Sequence, residues 1–335
     1  MRRHFLSSAI GAVTAIAASI ACLAVVEPVH AQAQRTLRMA TLQGAAQPSY
    51  KGLVRMAEIV QQKSNGTLRV QVFGDGQLGT EQESIEGVQL GTIDMFMGSA
   101  GSVGRFLPRL EAFAHPFLWR DSSHLMAAAR GPVAEELSKE LQAKAGIRIL
   151  DLGWIFGQRH LTTRRTEVRK PADMAGLKIR VQPTGIYLDT IKAMGANPTP
   201  MDFKEVYTSM QTGVIDGQEN PLNVIATRAF YEVQEYLILT GHMMQNQAIL
   251  VSERSFQSLT PDQRKILTEA AREAGDYQNK VLAEDETAQL ALVKSKGMKV
   301  VEPDVQAFRA ATADVYKKYE KAWGAGFYER LREAK

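Results

Sequence analysis

The chain has 335 residues, with 40 lysines and arginines against 36 aspartates and glutamates, and a formal net charge of +4 at pH 7. Its basic residues are scattered, with short clusters only at Arg164-Arg165 and Arg169-Lys170, so the composition gives little support to nucleic-acid binding. A chain of this length exceeds one typical hydrophobic core and therefore predicts two domains.

The first 31 residues have the pattern of an export signal. Arg2 and Arg3 precede an uncharged run from Phe5 to Val26, and a small-x-small cleavage site ends at Ala31. We therefore expect a periplasmic protein cleaved near Ala31, exported by the twin-arginine route that the arginine pair suggests or by the Sec route. The only cysteine lies within this segment, so the mature chain would have neither a disulfide nor thiol chemistry.

Predicted strands and helices then alternate, which favours an α/β fold with mixed or parallel sheets. Thr80 and Glu83 form a predicted capping box, and Thr260 caps a helix that begins at Pro261 and has no break before Gly297. A helix of that length must span more than one domain or bend. The predicted strands are 37–42, 68–72, 93–97, 147–152, 177–181, 236–239, 248–251 and 298–301, and the predicted helices are 49–63, 81–90, 122–130, 133–144, 222–230 and several within 304–333.

Arg180 lies at the end of a strand whose apolar and polar residues alternate, and Pro183 stops that strand. A guanidinium at such a position can direct a rigid set of donors at a carboxylate in a cleft. An ion pair with a neighbouring acid is the alternative interpretation of the same spacing. Downstream, Asp202 and Glu205 form a second predicted capping box, and Gly213 a predicted C-cap.

One glycine-rich turn suggests a different class of protein. Residues 74–79 fit the G-x-G-x-x-G pattern after a strand and before a helix, and Asp94 follows at the spacing of a dinucleotide-binding motif. The alternative function is therefore an exported nucleotide-dependent oxidoreductase. Glu81 and Glu83 weigh against it, because they would meet a pyrophosphate with like charge in the first turn of the helix.

No other catalytic or metal-binding pattern is present in the sequence. The four histidines after residue 31 are not spaced as metal ligands, and the chain contains no H-E-x-x-H, C-x-x-C or G-x-S-x-G motif. We therefore expect a ligand carrier without a cofactor, and not an enzyme.

The central block closely resembles the solute-binding proteins of TRAP transporters, the tripartite ATP-independent periplasmic uptake systems. The matching segments are Leu177-Lys178-Ile179-Arg180, Gly195-Ala196-Asn197-Pro198-Thr199-Pro200, Glu205-Val206-Tyr207, Gln211-Thr212-Gly213 and Asp216-Gly217-Gln218-Glu219-Asn220-Pro221. The resemblance implies a two-domain periplasmic clamp with central mixed sheets and a long helix spanning both domains. Domain I would comprise 36–156 plus 246–285, and domain II 157–245 plus 286–335.

The same resemblance implies a ligand site. Arg180 would anchor the carboxylate of an organic acid, Arg159 would make a second contact, Asn220 would form a hydrogen bond and Phe203 would pack on the ligand. Ser99 stands where sialic-acid-binding members carry a glutamate, so a smaller acid is expected: a dicarboxylate, an oxo or hydroxy acid, an aromatic acid or a uronate. The implied partners are the small and large membrane subunits of the transporter, driven by an ion gradient, and the chain itself is expected to be a monomer.

Overall fold

The structure, a computed structural model, describes residues 34–335, so the predicted export signal and Cys22 lie outside the described residues. Nine strands form one continuous mixed sheet in the order β2-β1-β3-β8-β4-β7-β5-β6, with β9 beside β8. Their bounds are β1 Arg35–Thr41, β2 Leu68–Phe73, β3 Met95–Ser99, β4 Ile147–Thr163, β5 Lys178–Val181, β6 Asn197–Pro200, β7 Gly217–Pro221, β8 Tyr236–Ser252 and β9 Lys299–Val301.

Two long antiparallel strands join the halves of this sheet. β4 and β8 each have 17 residues and pair along their whole length, with Ile147 opposite Ser252 at one end and Thr163 opposite Tyr236 at the other. The sequence predicted a strand of six residues for the first and two separate strands for the second, and both predictions were too short. Because β4 and β8 belong to both halves, the expected central mixed sheets form one continuous sheet.

Helices cover the sheet, and most begin where the sequence predicts. Thr80 and Glu83 form the predicted capping box, as do Thr260 and Gln263 at the start of the long helix. The helices are α1 Pro48–Lys63, α2 Glu81–Leu90, α3 Ser122–Ala129, α4 Pro132–Ala145, α5 Gly185–Ala193, α6 Val206–Thr212, α7 Leu222–Thr227, α8 Glu253–Gln257, α9 Pro261–Ser295, α10 Val305–Thr312, α11 Glu320–Trp323 and α12 Phe327–Arg332.

The predicted capping box at Asp202 is wrong. The chain there winds first into a 3₁₀ turn, Phe203–Glu205, in which the Glu205 N–H bonds to the Asp202 carbonyl and the Asp202 side chain caps nothing. The α-helical turns begin one step later, at Val206. This turn places Phe203 beside the end of β5 instead of inside a helix.

The 35-residue helix α9 contributes to two apolar clusters. Near its start, Leu267 and Ala271 are buried with Leu37 of β1, and near its end Val293 is buried with Phe156 of β4. A single helix therefore packs against two separate parts of the core and connects them.

Candidate functional site

Two adjoining cavities, of about 230 and 30 Å³, lie beside the ends of β1, β3 and β5, and we call them together the cleft. Both are lined by Leu42, Glu81, Arg180 and Phe203. The smaller cavity is also lined by Ser99 and by several buried amide side chains. A cleft with a few convergent polar groups on apolar walls is typical of a small-molecule site.

Arg180 lines both cavities from β5 and is only 2 % exposed. Its Nε and Nη2 donate to the carbonyl oxygen of Met201 at 2.9 and 2.7 Å. A guanidinium has five N–H groups, so three remain, all on the two terminal nitrogens. Burial lowers the pKa of Arg180 to about 10, so the side chain is still a cation at neutral pH.

Phe203 lies between two guanidinium groups. Its ring centroid is 5.8 Å from the Arg180 Cζ and 5.4 Å from the Arg228 Cζ, both within the range of cation–π attraction. The ring lines both cavities, as a residue that packs on a ligand must.

Asn220 lines the smaller cavity from β7, where it pairs with His160 of β4. Its Nδ2 donates to Gln218 Oε1 at 2.5 Å, which fixes the orientation of the amide. The structure therefore brings Arg180, Phe203 and Asn220 together at one cleft.

Arg159 is completely buried and does not line either cavity. It forms a bidentate ion pair with Glu219, with Nη2 2.8 Å from Oε1, and it also donates to Gln245. His242 Nε2 donates to the same carboxylate at 3.2 Å, and its Nδ1 lies 2.8 Å from the Thr240 hydroxyl. In this structure the Arg159 guanidinium donates to Glu219 and Gln245. A direct contact between Arg159 and the ligand stays a prediction.

The Glu219 carboxylate accepts hydrogen bonds from two sides. Burial alone would raise the pKa of this carboxyl, but Arg159 and His242 outweigh it and lower the pKa to about 2. Glu219 in turn raises the pKa of Arg159 against the effect of burial. The pair is therefore ionised at neutral pH and stands directly behind the residues that line the cleft.

Ser99 and Glu81 form the opposite wall. The Ser99 N–H donates to Glu81 Oε1 at 2.8 Å, and the Ser99 hydroxyl lies 3.0 Å from the Tyr187 hydroxyl. Burial raises the pKa of Glu81, and the bond from Ser99 offsets only part of that rise. The Ser99 hydroxyl is thus hydrogen-bonded within the protein, and the acidic side chain on this wall is that of Glu81.

Sequence reasoning did not identify several residues of the cleft. These are Gln43, Glu81, Gln182, Gln245 and Gln247. Glu81 was considered only as a charge that would repel a nucleotide. Gln245 and Gln247 lie in the polar middle of β8, and that run of polar residues in a buried strand was the signal that could have indicated them.

The glycine-rich turn does not form a nucleotide site. Lys204 Nζ donates to the Gly76 carbonyl, and the Asp75 carboxylate pairs with Arg228. The turn is therefore contacted by two basic side chains from the second half of the chain. The helix that follows begins at Glu81 with a closed capping box: the Glu83 N–H donates to the Thr80 hydroxyl, and the Thr80 N–H donates to the Glu83 carboxylate.

Neither metal chemistry nor a membrane span is indicated within residues 34–335. No group of three histidine, cysteine, aspartate or glutamate side chains is arranged to hold a metal ion in this part of the chain. In the same range, no helix combines the length and apolar character needed to cross a membrane.

Comparisons with known proteins relate the chain to one family. Residues 39–322 match the family model described as bacterial extracellular solute-binding protein, family 7. The 2,3-diketo-L-gulonate-binding periplasmic protein of Escherichia coli is 37% identical over 255 residues, covering 76% of this chain and 77% of that protein.

Two solved TRAP periplasmic solute-binding proteins share the fold. One from Polaromonas, bound to D-erythronate, is 33% identical with a TM-score of 0.86, covering 90% of this chain and 99% of the other. One from Roseobacter denitrificans, bound to L-galactonate, is 34% identical with a TM-score of 0.81, covering 85% and 94%. They confirm the predicted two-domain α/β clamp with its long helix, and nothing in them supports the oxidoreductase alternative. The chain belongs to the family 7 solute-binding proteins of TRAP transporters, and is a transport protein and not an enzyme.

Proposed function

We propose that this protein captures a hydroxylated monocarboxylic acid of the sugar-acid class and delivers it to the membrane subunits of a TRAP transporter for uptake driven by an ion gradient. The observation that carries the proposal is that a guanidinium group and a carboxyl group line one cleft. Arg180 and Glu81 both line each of its two cavities.

Arg180 is the proposed anchor of the ligand carboxylate. Its three remaining N–H groups lie on the terminal nitrogens, where a carboxylate can accept two parallel hydrogen bonds. Asn220 lines the same cavity and supplies a further polar contact, while Phe203 packs on the body of the ligand. In this proposal Arg159 holds Glu219 in place behind the anchor.

Glu81 argues against a second carboxylate on the ligand. A dicarboxylate would bring its second carboxyl group toward the half-buried acid Glu81, and two carboxyl groups in one dry cleft cannot both ionise without strong repulsion. A hydroxyl group, in contrast, can donate a hydrogen bond to a carboxylate and so satisfies the same wall. Sugar acids combine one carboxylate with several hydroxyls, which is the pattern this cleft would complement.

The bound ligands of similar proteins support this class. The Roseobacter denitrificans and Polaromonas proteins hold L-galactonate and D-erythronate, and each is a monocarboxylate with several hydroxyl groups. The E. coli relative is named for binding 2,3-diketo-L-gulonate, also an acid derived from a sugar.

Capture would proceed by hinge closure. We place domain I at 36–156 plus 246–285 and domain II at 157–245 plus 286–335, with β4, β8 and α9 as connections. The family is periplasmic, and we propose that residues 1–31 direct export by the twin-arginine or Sec route. The closed protein, as a monomer, would dock on the membrane subunits through its folded surface.

A thermal-shift panel tests the substrate class. L-Galactonate, D-erythronate and D-glucuronate form one set, and succinate and malate the other. A ligand at 100 times its dissociation constant stabilises the native state by about 2.7 kcal/mol, which raises the melting temperature by several degrees. We expect a shift with at least one member of the first set. Shifts confined to the dicarboxylates would contradict the proposal.

A further inference from the structure

Two buried amide oxygens in the cleft have no hydrogen-bond partner. Gln43 is 8 % and Gln247 1 % exposed, and the Oε1 atom of each accepts no hydrogen bond. Other unpaired side-chain atoms are buried within residues 34–335, but these two belong to residues that line the smaller cavity. A buried polar atom without a partner is destabilising, and so calls for an explanation at each occurrence.

Gln247 and Ser99 lie side by side in the sheet, because β3 pairs with β8 at Ser99 and Gln247. β1 pairs with β3 at Thr41 and Met97, and Gln43 follows two residues after the end of β1. All three residues line the smaller cavity. Gln43, Ser99 and Gln247 therefore meet at one cavity.

Ser99 does not satisfy either amide. The Ser99 hydroxyl is 3.0 Å from the Tyr187 hydroxyl, and the Ser99 N–H is bonded to Glu81. The neighbouring amide of Gln245 is likewise engaged, because its oxygen accepts from Arg159. Gln43 and Gln247 are thus left as acceptors that face a cavity of about 30 Å³, room for one small polar group.

We infer that Gln43 and Gln247 are specificity-determining residues that bind hydroxyl groups of the ligand. A hydroxyl donates to one atom and accepts from another, so it satisfies an amide in either orientation. A site built around such groups rejects an analogue that lacks the hydroxyl, because the amides are then left buried and unpaired. The inference rests on the proposed function and adds to it the residues that select the hydroxyl pattern.

The test combines two variants with a set of ligands. Gln43→Met and Gln247→Met keep an unbranched side chain of similar length but remove the amide. Gln61→Met is the matched control, because Gln61 is exposed on α1. The ligands are the sugar acid that binds wild type best among L-galactonate, D-erythronate and D-glucuronate, and its single-deoxy analogues, titrated by calorimetry.

We expect each cleft variant to bind the parent acid at least tenfold more weakly, as the loss of a hydrogen bond to a desolvated group predicts. At least one deoxy analogue should bind wild type weakly as well, and should lose no further affinity in the variant. That coupling would not arise from a merely structural role. Should a methionine variant fail to fold, Gln247→Asn withdraws the amide by one methylene and should show the same coupling.

The outcomes separate this inference from the proposed function. If wild type binds a sugar acid and both methionine variants bind it equally well, the inference is wrong and the function stands; a trapped water then satisfies the two amides. If the variants weaken every analogue by the same factor, the amides are structural and the inference is again wrong. If wild type binds no sugar acid, the proposed function fails and the inference with it.

Discussion

Lys204 Nζ donates to the carbonyl oxygen of Gly76 at 2.6 Å, across the mouth of the cleft. Gly76 has φ +65°, and a Cβ atom there would lie 2.4 Å from the Lys204 Cε. The neighbouring Asp75 pairs with Arg228 at 2.8 Å. The glycine pattern that resembles a nucleotide motif thus lets two cations from the second half of the chain approach a turn of the first half.

These contacts predict an effect of Lys204 on ligand release. Lys204→Met removes the bond to Gly76 but keeps the aliphatic side chain over the turn. If the bond forms when the two domains close, its loss should raise the dissociation rate of the ligand roughly threefold to tenfold, as expected for a partly exposed charged contact of about 1 kcal/mol. Stopped-flow measurement of the dissociation rate checks this.

The control for that experiment is Lys299→Met. Lys299 pairs with Glu235, and both residues fall in the proposed domain II. This variant should leave the dissociation rate unchanged. Equal rates for wild type and Lys204→Met would show that the Gly76 contact does not report closure.

Arg180→Ala should greatly weaken ligand binding. Removing one member of a desolvated charge pair costs about 2–5 kcal/mol, or roughly 30-fold or more in affinity. Arg180→Lys should recover only part of the loss, because an ammonium is a point charge and cannot hold two oxygens in a fixed plane. Calorimetric titration with the sugar acid identified in the thermal-shift panel measures both.

The unliganded Arg180→Ala protein must also remain folded. Its melting temperature should stay within a few degrees of wild type, because Met201, whose carbonyl Arg180 contacts, is only half-buried and water can reach it once the side chain is removed. Wild-type affinity in a well-folded Arg180→Ala variant would exclude Arg180 as the anchor.

The sequence predicted the position of Arg180 because two local signals agree there: the alternation of the strand and the stop at Pro183. It could not predict the partner of Arg159, because Glu219 is 60 residues away and only the pairing of β4 with β7 brings the two together. The length of β8 was missed for a related reason. Its middle is polar where it passes the cleft, and a local pattern cannot distinguish a buried polar strand from a loop.

Glu219→Gln should destabilise the protein. The substitution leaves the Arg159 guanidinium buried without a counter-charge, and breaking a buried pair in this way costs about 3–5 kcal/mol. His242→Gln should cost less, because it changes one hydrogen bond to the carboxylate and leaves the ion pair intact. Urea unfolding at pH 7 measures both variants.

The double variant Arg159→Met with Glu219→Gln is the informative control. It removes both charges, so it should be more stable than Glu219→Gln alone. A double variant that is less stable than either single variant would show that the pair stabilises the fold beyond compensating its own burial.

His115 predicts a pH dependence of stability. Its ring is 2 % exposed, lies among Tyr316, Trp323 and Tyr328, and has no hydrogen-bond partner at either nitrogen. Burial lowers the pKa of His115 from 6.5 to about 4. The unfolded chain therefore takes up a proton below pH 6.5 while the native state does not, so native stability is complete above pH 6.5 and is lost as the pH falls toward 4.

His115→Phe keeps an aromatic ring in this cluster and removes the titration. At pH 5 the pH lies 1.5 units below the pKa of this histidine in the unfolded chain, which is 6.5. Between pH 8 and pH 5 the unfolding free energy of wild type should therefore fall by about 2 kcal/mol more than that of His115→Phe. The variant should also be slightly more stable than wild type, by the same amount at pH 5 and pH 8, because it removes two unpaired nitrogens. Urea unfolding at the two pH values measures the difference, and Tyr316→Phe, in the same cluster, should show none of the pH-dependent part. A His115→Phe gain that is the same at pH 5 and pH 8 would mean that His115 already takes up its proton in the folded protein.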